Sequence, residues 1–238
     1  MRILDYLIVC ILLCSYSLIP RTSLAAPNGN HQPLIYMGLD DLFPDESSRR
    51  LAAAAGSGNI KRISEIVRSG IDVNAQGARG ATPLFWALRS TNLAGYRHLL
   101  LQGGNPNLVA GTMNETPLFE TIGVNDGRDL SEDRRLLLSN GADINHPTEG
   151  VRFGIDFGGN TPILVAADLA RLDIVEELLD LGADCRAKNN LGRDLVTKLQ
   201  EYVGRFDSTP LGEANERRLA HILARLKANC FAVPESSS

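Results

Sequence analysis

Residues 158–190 read GGNTPILVAADLARLDIVEELLDLGADCRAKNN, and this stretch decides the fold. Thr161 is an N-cap residue and Pro162 takes the first helical position, where a missing N–H costs nothing. Leu164 and Ala167, then Ile174-Val175 and Leu178-Leu179, recur at the spacing of one helical face. Gly182 is suited to end the second helix in the left-handed conformation, and Asp184 shapes the turn that follows. The unit therefore reads helix, turn, helix, β-turn.

The same signatures recur along the chain. Thr82-Pro83-Leu84 and Thr116-Pro117-Leu118 match Thr161-Pro162-Ile163. Gly103-Gly104-Asn105-Pro106-Asn107, Gly141-Ala142-Asp143-Ile144-Asn145 and Gly182-Ala183-Asp184-Cys185 form a second series, with Gly70-Ile71-Asp72-Val73-Asn74 before them. The Thr-to-Gly spacing is 21 residues from 82 to 103 and from 161 to 182, and 25 from 116 to 141. Two separate signatures at a fixed spacing are far more specific than a lone Thr-Pro-Leu. The pattern resembles the ankyrin repeat, whose period is about 33 residues. That resemblance covers about 180 residues and implies an all-α ankyrin-repeat solenoid of about five helix-turn-helix units with β-turn fingers. The units span 49–78, 79–111, 112–148, 158–190 and 191–230, the last degenerate, with Gly192-Arg193-Asp194 at its start. The family usually carries His two residues after Pro; Phe85, Phe119 and Leu164 stand there instead, so apolar stacking must supply more of the stability.

Around the repeats the expected organisation is a signal peptide at 1–25, an N-terminal extension or cap at 26–48, the repeat domain at 49–230 and a disordered tail at 231–238. Arg2 begins a short positive start, weakened by Asp5, and an apolar run from Tyr6 to Ile19 follows. That run is too short for a comfortable membrane span and fits a signal core, with Ser23-Leu24-Ala25 as a cleavage site. The expected mature form is periplasmic and not membrane-inserted. Two cysteines follow the cleavage site, Cys185 and Cys230. An oxidising compartment permits a bridge between them; two thiols too far apart to join are the other reading. In the cap, Leu39, Leu42 and Phe43 are apolar enough to pack on the first repeat.

Net charge is −4 over 238 residues, a poor match for nucleic acid. Chemistry is sparse. His31, His98, His146 and His221 match no metal spacing, Gly56-Ser57-Gly58 reads as an inter-helix turn, and Gly150–Gly159 has no P-loop lysine. Glu176, Glu177 and Asp180 read as a solvated face. No catalytic, cofactor-binding or metal-binding residue is expected, and the chain is not expected to be an enzyme.

The expected partner is a protein. By the ankyrin resemblance, partners meet the β-turn tips and the first helices. The position four after the capping Thr holds Trp86, Glu120, Val165 and, in the last unit, Lys198. The tips contribute Arg79, Met113, Glu115, Asn160 and Arg193. Trp86 and Arg79 are the leading anchors, since Trp and Arg dominate interface energetics; a packing role for Trp86 stays open. The insertion near 122–132 reads as a solvated loop. The connection from His146 to Gly159 alternates Val151, Phe153, Ile155 and Phe157 with Arg152, Gly154, Asp156 and Gly158, a period-two pattern predicting an extended finger with one apolar side. Whether it meets a partner or packs on neighbouring turns is open. An export signal joined to ankyrin-like units resembles the exported bacterial ankyrin immunity proteins that partner type VI secretion lipases and phospholipases. That resemblance implies a toxin inhibitor. A periplasmic helper in oxidative-stress defence, like the exported ankyrin proteins beside catalases, and a host-directed scaffold are the other readings.

Overall fold

The computed structural model describes residues 37–123, 129–152, 155–156 and 158–230. The proposed signal peptide, most of the N-terminal extension, Phe153, Phe157 and the 231–238 tail lie outside them. The fold is all-α. The described residues form five helix pairs and a short leading helix, and the described strands are two residues each. The chain divides into two compact units, residues 1–104 with 124–133, and residues 105–123 with 134–238.

In the first unit, α1 (Leu39–Leu42) leads into α2 (Glu46–Gly56) and α3 (Ile60–Arg68). A 3-10 turn (Ala78–Gly80) precedes α4 (Pro83–Arg89) and α5 (Leu93–Leu101). α2 starts at Glu46, inside the segment read as the cap, because the Asp45 carboxylate accepts the Ser48 backbone N–H at 2.8 Å and caps the helix there. Leu42 and Phe43 are fully buried and close the end of this unit. The Ala52–Ala55 run leaves α2 thin enough for α5 to come backbone to backbone, and a Cβ on Gly95 would strike the Ala55 carbonyl. Tyr96 is fully buried, and burial pushes its phenol well above the usual range.

The second unit contains α6 (Pro117–Gly123), α7 (Ser131–Ser139, whose first three residues group with the first unit), α8 (Pro162–Asp168), α9 (Leu172–Asp180), α10 (Leu195–Gln200) and α11 (Pro210–Asn229). Ile163, Leu164, Ile174, Val175, Leu178, Leu195, Leu199, Leu219, Ile222 and Leu226 form its core, each at most 1% exposed. Phe85, Phe119 and Leu164, which replace the family's His, are all buried.

The turns repeat in detail. Gly70, Gly103, Gly141 and Gly182 end their helices with φ of 85–93°, a region a Cβ disfavours. Two residues on, the side-chain oxygens of Asp72, Asn105, Asp143 and Asp184 accept the N–H of residues 74, 107, 145 and 186 at 2.8–2.9 Å. The asparagines of these turns then reach forward. Asn74 Nδ2 donates to the Gly103 carbonyl at 3.1 Å within the first unit. In the second, Asn107 Nδ2 donates to the Gly141 carbonyl, and Asn107 and Asn145 Oδ1 accept the N–H groups of Asp143 and Asp184. The threonines are less uniform. Thr82 Oγ1 accepts the Phe85 N–H at 3.2 Å, whereas the Thr116 and Thr161 hydroxyls are buried without a hydrogen-bond partner. The expected capping bond thus forms at one of the three. Thr91 and Ala170 adopt φ of 61° and 53° in their inter-helix turns, a conformation uncommon for any residue but Gly and most unusual for the β-branched Thr91.

The 146–159 connection carries a short two-stranded finger. It is an antiparallel hairpin, β1 (Val151–Arg152) with β2 (Ile155–Asp156), pairing Val151 with Asp156 and Arg152 with Ile155.

Candidate protein-contact surface

The first helices of three repeats each have one opening in their central run. In α4 every residue from Pro83 to Leu88 is buried except Trp86. In α6 the run from Pro117 to Ile122 is buried except Glu120, and in α8 the run from Pro162 to Ala167 is buried except Val165. The position four after Thr is thus where a half-exposed side chain of varied chemistry stands. An α-helix locked between neighbours leaves only a narrow stripe toward solvent.

Trp86 is both packed and presented. Its ring meets Phe43 edge to face at 6.5 Å, and the Arg89 guanidinium lies 5.4 Å from its centroid. Gly56 admits the indole, since a Cβ there would stand 2.6 Å from Nε1 and 2.9 Å from Ser90 Oγ. Trp86 is the chain's single tryptophan, so its emission reports this surface. Gly56→Ala should move the emission maximum to longer wavelength by turning the indole toward water, with a loss of about 1 kcal/mol in urea denaturation. Unshifted emission would show that the indole does not depend on this gap.

In the last repeat the equivalent position is closed, which corrects the reading of Lys198 as a residue of the face. Lys198 is 2% exposed, and its Nζ donates to both Asp168 oxygens at 2.6 Å. Burial pushes the Asp168 carboxyl up and the Lys198 ammonium down, each opposed by the other's charge. The Tyr202 hydroxyl donates to the Asp168 carbonyl at 2.7 Å.

The fingertips divide. Arg79 is half-buried at a tip with φ of 55°. Glu115 is half-buried and bridges Ala110. Arg193 pairs with Glu201. Met113 and Asn160 are 6% and 2% exposed, which removes both from the proposed contact surface. Fingers within the second unit hydrogen-bond to one another and bury those positions. The Glu149 N–H donates to the Met113 carbonyl at 2.9 Å, Asn189 Nδ2 donates to Asn160 Oδ1 at 3.2 Å, and the Asn190 N–H donates to the Gly158 carbonyl at 3.0 Å. Arg152, Ile155 and Asp156 lie in the hairpin, while Phe153 and Phe157 lie outside the described residues.

Of the α9 carboxylates read as a solvated face, Asp180 is exposed, whereas Glu176 and Glu177 are half-buried in ion pairs. Glu177 accepts from the buried Arg134, whose Nε and Nη2 donate to Oε2 at 2.8 and 2.5 Å. Glu176 pairs with Arg218 at 2.9 Å and Asp180 with Arg225 at 2.5 Å, both on α11. The cysteine alternatives are decided as well: Cys185 and Cys230 are joined in a disulfide.

Helix-turn-helix repeats with β-turn fingers make the architecture an ankyrin-type solenoid. Residues 158–190 match the ankyrin repeat model. The chain is similar to a putative ankyrin repeat protein of Rickettsia bellii (strain RML369-C), 35% identical over 130 residues, which are 51% of this chain and 33% of that one. It is also similar to palmitoyltransferase Hip14 of Drosophila melanogaster, 36% identical over 75 residues, 32% of this chain and 12% of that one. The chain spans a third or less of the length of these curated relatives. Ankyrin repeats are in general interaction modules rather than enzymes, and the likeness to the palmitoyltransferase is confined to its ankyrin region. Among the described residues no helix is long and apolar enough to cross a membrane.

Proposed function

We propose that this protein is exported to the periplasm and acts there as an immunity protein, binding and inhibiting a type VI secretion lipase or phospholipase. The observation that carries the protein-binding part is the single opening in each of α4, α6 and α8, filled by Trp86, Glu120 and Val165. A half-exposed Trp braced by Phe43 and Arg89 loses little side-chain entropy on contact, which suits an interface anchor. The leader-like residues 1–25 and the disulfide both suit an oxidising compartment.

The test starts from full-length chain expressed with its leader and recovered from the periplasm. Titration onto a purified lipase toxin should abolish hydrolysis at saturation and change Trp86 emission. Trp86→Ala should weaken the complex by about 2 kcal/mol. Full lipase activity at saturating protein would refute the immunity reading, and co-purification with a catalase instead would favour the oxidative-stress role. Wild-type affinity of Trp86→Ala would place the contact elsewhere.

A further inference from the structure

The C-terminal helix is held differently from the others. α9 buries Leu172, Ile174, Val175 and Leu178 within nine residues, whereas the twenty residues of α11 bury only Leu219, Ile222 and Leu226 as large apolar groups. Its two ion pairs to α9 are partly exposed, and pairs of that kind add little. At its end, however, Cys230 is the C-cap residue, is 8% exposed, and is bonded to Cys185 in the turn after α9. Arg186, beside Cys185, stands where the preceding turns carry Asn74, Asn107 and Asn145, the residues that pass hydrogen bonds forward to the next turn. Here Arg186 Nε instead donates to the Cys230 carbonyl at 2.6 Å.

We propose that this covalent and hydrogen-bonded clasp is a redox-dependent latch for the C-terminal cap: α11 docks fully only when Cys185 and Cys230 are joined. Reduction by a dithiol breaks the S–S bond. The dithiol's thiolate attacks one Sγ and its second thiol releases the mixed disulfide, so that two electrons and two protons pass to the protein and the reductant leaves as a disulfide. The reverse exchange, with a disulfide-bearing oxidant accepting the electrons, closes the latch. A chain in a reducing compartment therefore keeps a loose last helix, and its cap is completed on arrival in an oxidising one.

Hydrogen exchange followed by mass spectrometry on the full chain tests this, comparing oxidised protein, protein reduced with dithiothreitol, and the Cys185→Ser/Cys230→Ser variant. Opening either way should raise exchange across Pro210–Asn229 roughly 100-fold or more, the scale expected of closing a loop this long. Exchange across Glu46–Leu101 should change less than about threefold, as befits an opening confined to one element. Unaltered protection of Pro210–Asn229 in the reduced protein and the variant would overturn the proposal. So would an equal loss across both regions, which would make the bridge a global staple rather than a latch.

Discussion

Arg134→Ala should cost about 3 kcal/mol in urea denaturation, one of the two largest single-residue effects expected in this chain. The Arg134 side chain is 5% exposed and spans two repeats of the second unit. Two of its nitrogens donate to Glu177 Oε2, and Nη1 donates to the Thr121 carbonyl at 2.9 Å. Truncation would leave the Glu177 carboxylate, 14% exposed, without its guanidinium, and would leave the carbonyl without its donor. Removing one partner of a buried pair costs more than the pair contributes, because the other charge stays desolvated. Arg135, at 3.7 Å from Glu177, softens the loss toward the lower end of the range. The double replacement Arg134→Met/Glu177→Leu should recover most of the stability, since no charge is then stranded. A loss below about 0.5 kcal/mol for Arg134→Ala would show that water replaces the guanidinium without cost.

Phe43→Ala should be of similar size, about 3 kcal/mol or more, and it should also disturb the proposed contact surface. Phe43 is fully buried where the N-terminal cap meets the first unit, and its ring supports the indole of Trp86. Its loss would open a cavity and remove the edge-to-face contact, so Trp86 emission should shift as stability falls. Leu178→Ala in the second unit is the matched control: a comparable loss of stability with Trp86 emission unchanged in the folded state. If Phe43→Ala destabilises the chain but leaves the emission in place, Trp86 is held by Arg89 and α2 alone. If binding to a lipase falls along with the emission shift, the cap is part of what presents the anchor.

The legible part of the fold was legible for local reasons. Thr-Pro starts, apolar pairs at helical spacing and glycines in left-handed turns act over a few residues, so helix pairs at 83–101 and 162–180 follow from composition and order alone. The opening at Trp86 was also readable, since a residue four after the cap takes its direction from helical geometry. The fingers were harder. A period of two marks extended backbone but not register, so the alternation through 151–157 did not give the pairing of Val151 with Asp156 and Arg152 with Ile155. The asparagine ladder went unread for a similar reason. Asn74, Asn107 and Asn145 look like turn residues, and only their spacing in three dimensions shows them bonding to the next turn.

From its sequence alone this protein was determined to be a chain of helix pairs with tight left-handed turns, because capping, periodicity and glycine act between near neighbours. Tertiary structure alone decided which polar groups are buried and what they meet: Arg134 with Glu177 across 43 residues, Lys198 with Asp168 across 30, Cys185 with Cys230 across 45. Those pairings depend on how far one repeat is rotated and shifted on the next, and a sum over local preferences does not contain that quantity.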